Sequence, residues 1–279
     1  MSFWTLLNDI RNALLTGVPV EAPPIELSVV RTGLLDGNAA SVVHILGKRT
    51  LGFKSTSVLQ DIAGYLDTSQ DALNAVSTGT TYYIRSSSAS DTAAGTGART
   101  VRIVSLSSTG VQQVTTATLN GTTAVSLGSG FLYFQWMEVA TAGSGNVAAG
   151  NITIASVTGA PTTAQIVEWI TAGGDRSVSG RYMVPLGTTA YLIDWSATAV
   201  GGATQDVRFR AKVFADDRTL SDVLHFQGTF FLSNAIAETR EMNYLKFPAL
   251  CELKVSTIPS ATSAANRIDI NFGLIVVAD

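Results

Sequence analysis

The 279-residue chain is 46% hydrophobic and only 14% charged, where soluble domains usually carry roughly 25% charged residues. Its formal charge of -3 is the wrong sign for a surface that neutralises phosphates with clustered Lys and Arg, which argues against nucleic acid as a partner. Ser, Thr, Asn and Gly stand where charges would, and such an exterior stays soluble most readily when neighbours in an assembly cover it.

The N-terminal stretch MSFWTLLNDIRNALLTG lacks the basic start, unbroken apolar run and small-residue cleavage site of a secretory signal. No apolar run in the chain approaches the roughly 18 residues of a membrane span, so no membrane partner is expected. Phe3, Leu6, Leu7, Ile10, Leu14 and Leu15 recur every three or four residues, which predicts a short amphipathic helix ending near Gly17. Pro19, Pro23 and Pro24 follow in VPVEAPPIEL and keep the backbone extended. Residues 1–40 therefore read as an arm whose helix docks either on its own domain or on a neighbouring subunit. Phe3, Trp4, Leu7, Ile10 and Leu14 are its candidate interaction residues.

From residue 41 to 279 the pattern is all-β: short runs of Val, Ile, Thr, Phe and Tyr divided by Gly, Asn, Ser and Asp. One helix is expected in this region, at Ser57–Val76, where Val58, Leu59, Ile62, Leu66 and Leu73 form a stripe weakened by Gly64. Strands are expected at 80–85, 99–106, 112–119, 131–140 and 151–157, then at 164–170, 181–185, 189–196, 206–215, 223–232, 249–257 and 266–277. In VRFRAKVFA, Val207, Phe209, Ala211 and Val213 alternate with Arg208, Arg210 and Lys212, giving one core face and one basic face that is a second candidate interaction surface. No helical spacing separates these strands, so the fold class is an antiparallel β-sandwich or jelly roll. It is either one unit or two, 41–160 and 161–279, meeting at Gly159-Ala160-Pro161.

Catalytic groups are sparse. His44 and His225 sit in strand-like runs, and no G-x-S-x-G elbow nominates a serine. Cys251 is the single cysteine, so neither an intrachain disulfide nor a thiolate metal cluster is expected, and its setting in FPALCELKV reads as core. Asp216, Asp217 and Asp222, with Arg218 among them, read as an exposed turn rather than a calcium loop. The glycine-rich GTGAR and GSGNVAAG lack a following helix to receive a phosphate. No metal, cofactor or catalytic residue is expected. The carboxylates Glu138, Glu168, Asp194 and Asp269 would serve a hydrolase only if the fold paired them in a groove. Asn120-Gly121 is the strongest hairpin signal.

Residues 86–103 read SSSASDTAAGTGARTVRI, 114–127 read VTTATLNGTTAVSL and 143–154 read GSGNVAAGNITI. In this order the segments resemble virion structural proteins of tailed bacteriophages, and VPLGTTAYLIDW at 184–195 is similar to their continuation. The resemblance implies a β-rich particle protein with no catalytic residues to carry over. Asp91 and Arg99 are expected to pair across the first segment. With the low charge, this points to a capsid decoration or cement subunit on the capsid exterior, bridging the major capsid protein or other virion proteins and forming a homo-oligomer, most simply a trimer. A tail, fibre or baseplate component is the alternative.

Overall fold

A computed structural model describes residues 40–212, 223–232 and 237–279. The described chain is built of antiparallel β-strands, with one 3-10 turn at Thr163–Gln165 and no α-helix. Strands β1 (Ala40–Arg49), β2 (Gln60–Asp61), β3 (Tyr82–Ser86), β4 (Ala98–Ser107), β5 (Gln112–Thr118), β6 (Val125–Gly128), β7 (Phe131–Ala142) and β8 (Ile152–Ala155) form the first half. Strands β9 (Ile166–Ile170), β10 (Arg181–Met183), β11 (Thr188–Val200), β12 (Gln205–Ala211), β13 (His225–Leu232), β14 (Ala237–Phe247), β15 (Glu252–Pro259) and β16 (Arg267–Ala278) complete it. They make four sheets, ordered β1-β16-β11-β14, β10-β15-β12-β13 with β2 on β15, β6-β3-β8-β9, and β5-β4-β7.

Two of these sheets share each of the two main cores. The first core joins β11 and β16 to β12, β13 and β15: Trp195 stacks on Phe230 with ring centroids 3.8 Å apart, and Phe209 meets Phe272 edge-on at 5.3 Å. Period-2 patterning places these residues, since Val207, Phe209 and Ala211 of β12 are all fully buried while the residues between them are not. The second core, with Ile84, Ile103, Phe134, Met137, Ile154 and Ile170, joins β6-β3-β8-β9 to β5-β4-β7. All of its strands lie within residues 82–170, inserted in sequence between β2 and β10. β1 pairs along its full length with β16, from Ala40↔Val277 to Arg49↔Ile268, making the first and last described strands neighbours. The partition thus brackets 82–170, and β9 stays with β8 across the Gly159-Ala160-Pro161 turn.

The helix expected at Ser57–Val76 does not form; the segment holds β2 and turns. Its Ile62, Tyr65 and Leu66 are nevertheless completely buried, because one buried side chain satisfies carbonyls that a helix would otherwise have paired. The Arg49 guanidinium donates to the carbonyls of Gly52 (2.8 Å), Asp61, Asp67 and Gln70 (2.9 Å each). Burial lowers its pKa to about 10, against the pull of Asp61, Asp67 and Asp71. Asn120-Gly121 is a turn, with Gly121 at φ +60, yet it closes no hairpin. β5 pairs with β4 and β6 with β3, so the turn passes the chain from one sheet to the facing one.

Candidate functional site

The outward face of β12 brings Arg208, Arg210 and Lys212 into one row, as the alternation requires, but acidic partners compensate each of them. Arg208 forks onto its own strand's Asp206 at 2.6 Å. Arg210 reaches Asp61 of β2 at 3.0 Å, and Lys212 lies 3.5 Å from Glu252 of β15. Lys254 bridges the two acids, 3.1 Å from Asp61 and 3.6 Å from Glu252. The expected basic face is therefore a mixed-charge ladder. It is assembled because β15 lies beside β12 and β2 beside β15, an arrangement that no local sequence pattern announces. Asp61 is its hub. Burial would push the Asp61 carboxyl up, but Lys254, the Leu73 N–H, the Ser256 hydroxyl and Arg210 together hold it below the usual carboxylate range.

The ladder continues into the seam between the two cores. Tyr133 of β7 donates to Glu252 at 3.1 Å, and the Arg181 guanidinium lies 4.9 Å from the Tyr133 ring centroid. Arg181 donates to the carbonyls of Val167 (2.6 Å) and Asn74 (3.2 Å). Its carboxylate neighbour, Glu168 of β9, is completely buried 3.8 Å away. Glu168 Oε1 accepts from Ser179 (2.6 Å) and from the Trp169 N–H (3.2 Å), whereas Oε2 has no hydrogen-bond partner. Burial pushes the Glu168 carboxyl up, and Arg181, at a distance too long for a hydrogen bond, does not reverse it. Gln135 of β7 completes the seam by exchanging two hydrogen bonds with the Met183 backbone.

The three segments that carry the virion resemblance meet at Asp91. Its fully buried carboxylate accepts from the Ser86 hydroxyl (2.5 Å) and from the N–H groups of Ala98 (2.7 Å), Ala149 and Gly150 (2.9 Å each). Its carbonyl accepts from the Gly121 N–H at 2.8 Å. The expected Asp91–Arg99 pair does not form, because Asp91 is turned inward and Arg99 donates to the Gly95 carbonyl instead. A Cβ at Gly97 would sit 2.1 Å from Asp91 Oδ1, which is why this loop requires glycine there.

The remaining chemical candidates are dispersed. Glu138 pairs with Arg102 at 2.6 Å and Asp269 with Lys48 at 3.7 Å, while Glu168 is sealed in the seam and Asp194 lies on β11 opposite Gly273. His44 and His225 lie on β1 and β13 and are exposed rather than packed in a core. Cys251 is fully buried in the first core, and burial raises its thiol to about 12. Among the described residues no three His, Cys, Asp or Glu side chains are grouped to hold a metal, and no helix is long and apolar enough to cross a membrane. Phe3, Trp4, Leu7, Ile10 and Leu14, and Asp216, Asp217 and Asp222, where a turn is expected, lie outside the described residues.

No protein-family profile and no curated protein sequence matches the chain. Among solved structures it is similar to the VP2 subviral particle of infectious bursal disease virus, at 11% identity and a TM-score of 0.22, over 90% of this chain and 78% of that one. It is also similar to the tandem CBM22-1-CBM22-2 domain of Paenibacillus barcinonensis Xyn10C, at 10% identity and a TM-score of 0.23, over 90% and 96% of the two chains. At these TM-scores neither likeness bears on function.

Proposed function

We propose that the chain is a non-enzymatic virion structural protein of a tailed phage, a decoration or cement subunit on the capsid exterior that bridges neighbouring copies of the major capsid protein. The structural observation from which the reading starts is strand order. Taken in sequence, the eight strands outside 82–170, leaving aside the two-residue β2, are β1 and β10 to β16. Their sheets run first-eighth-third-sixth and second-seventh-fourth-fifth. That is the connectivity of a jelly roll made of two Greek keys, here with a second β-sandwich inserted after its first strand.

Jelly rolls serve viral shells, lectins and cupins alike, so fold alone does not choose among them. Two other features favour the shell: a charge content of 14%, and the three resemblance segments joined at Asp91. Binding through many modest contacts, summed over repeated copies, strengthens a shell without chemistry. A trimer is the simplest oligomer that matches a local symmetry axis. Cryo-electron microscopy of purified particles with and without the protein tests the proposal. Density lost from the shell supports it; density lost only at the tail transfers the protein to a fibre or baseplate role, and unchanged particles overturn both.

A further inference from the structure

Strand β5 forms one edge of the sheet β5-β4-β7. Its register with β4 is unbroken from Thr100↔Thr118 to Leu106↔Gln112. Just beyond its two ends, the Ser107 N–H donates to the Val111 carbonyl and the Leu119 N–H to the Arg99 carbonyl. In an antiparallel pair these hydrogen-bonded positions alternate with positions that face away. The odd-numbered residues therefore bond to β4, and Gln112, Val114, Thr116 and Thr118 aim their N–H and C=O groups outward. These same four side chains are exposed, with Val114 at 51%.

Natural edge strands are usually guarded by charge, proline, bulges or brevity. β5 has none of these: seven residues, QQVTTAT, with no charge, no proline and no register shift. Several other edges among the described residues are blunted. On β1 the Lys48 N–H is taken by the Val178 carbonyl, and Arg176 caps the His44 carbonyl. β7 is flanked by 175–177 through Val139 and Ser177. β6 has four residues and β10 three, and β13 carries a register shift.

We infer that β5 pairs antiparallel with the β5 of a second copy of this chain, forming a continuous six-stranded sheet across a two-fold axis. The sequence is self-complementary about Thr115. Gln112 falls opposite Thr118 and Val114 opposite Thr116, so no charge meets a charge, and about eight backbone hydrogen bonds close the edge. The neighbouring charges on this sheet, Arg102 and Glu138, already neutralise each other within one chain. The inference concerns the purified chain and stands or falls independently of any role in a particle.

Sedimentation velocity of the full chain across micromolar to submillimolar concentrations tests it, with circular dichroism to verify folding. The wild type is expected to form dimers with rising concentration. Val114→Pro removes an outward N–H without touching the β4 ladder, and Val114→Lys brings two like charges together near the axis; each is expected to weaken dimerisation at least tenfold. Thr115→Cys places two thiols across the axis and is expected to give a covalent dimer on oxidation, Cys251 being buried. If Val114→Pro does not fold, Val114→Lys decides. A wild type that stays monomeric throughout, or dimers that persist unchanged in the folded Val114→Lys variant, would overturn the inference.

Discussion

At Asp91 four donors from three separated stretches of chain converge on one carboxylate, three of them backbone N–H groups. Each buried donor left unsatisfied costs about 1–3 kcal/mol, so Asp91→Ala is expected to lower stability by about 3 kcal/mol or more in urea denaturation. Asp91→Asn, which keeps one acceptor oxygen, should lose less. Glu168 makes a pH-dependent contribution of the less usual sign. Its folded pKa is raised above the unfolded value near 4.5, so the folded state binds the proton more tightly. The stability linked to that proton is full below the unfolded value and is lost as pH rises through the folded one. Glu168→Gln removes this linkage, and its urea midpoint should gain on the wild type from pH 4 to 8. Cys251, raised to about 12 and packed in the first core, should react with a disulfide reagent at pH 8 only as fast as the protein opens.

Among the elements, the segment around residues 50–74 depends on Arg49 more than on its own backbone. With four carbonyls on one guanidinium and charged hydrogen bonds worth about 1.5–3 kcal/mol each, Arg49→Met should abolish hydrogen-exchange protection in 50–74 while leaving the 82–170 unit protected. This segment also marks where sequence reading reaches its limit. Ile62 and Leu66 carry a helical spacing, but the spacing reports burial, and an arginine outside the apolar stripe decides the conformation. Where apolar and polar residues alternate strictly, as in β12, or cluster with β-branched neighbours, as in β4 and β16, the strands were legible to within a few residues. β14 was not, because its sequence AETREMNYLKF has no apolar alternation to read. The basic residues of β12 were legible as a row, but their neutralisation was not. Asp61 and Glu252 come from β2 and β15, which are remote from β12 in sequence and reach it only through the pairing of β15 with both strands.

For the whole molecule, the division into an outer eight-stranded unit and an inserted one separates two kinds of prediction. If residues 1–40 form an arm that clamps a neighbour, replacing Trp4 and Leu7 together with Ala should reduce incorporation into particles several-fold. The melting temperature of the purified chain should not change, and particle composition by quantitative mass spectrometry reads the difference. The pairing of β1 with β16 carries a further consequence, this one for the order of events during synthesis. β1 begins at Ala40 and its partner β16 spans Arg267–Ala278, so the outer core waits for β16 to leave the ribosome, whereas residues 82–170, which hold every buried residue of their own core, emerge long before. Contacts this far apart in sequence form late and slowly. The nascent chain therefore passes through a stage in which one finished unit is tethered to an open, adhesive half, and a chain cut short before β16 would be a product that cannot close.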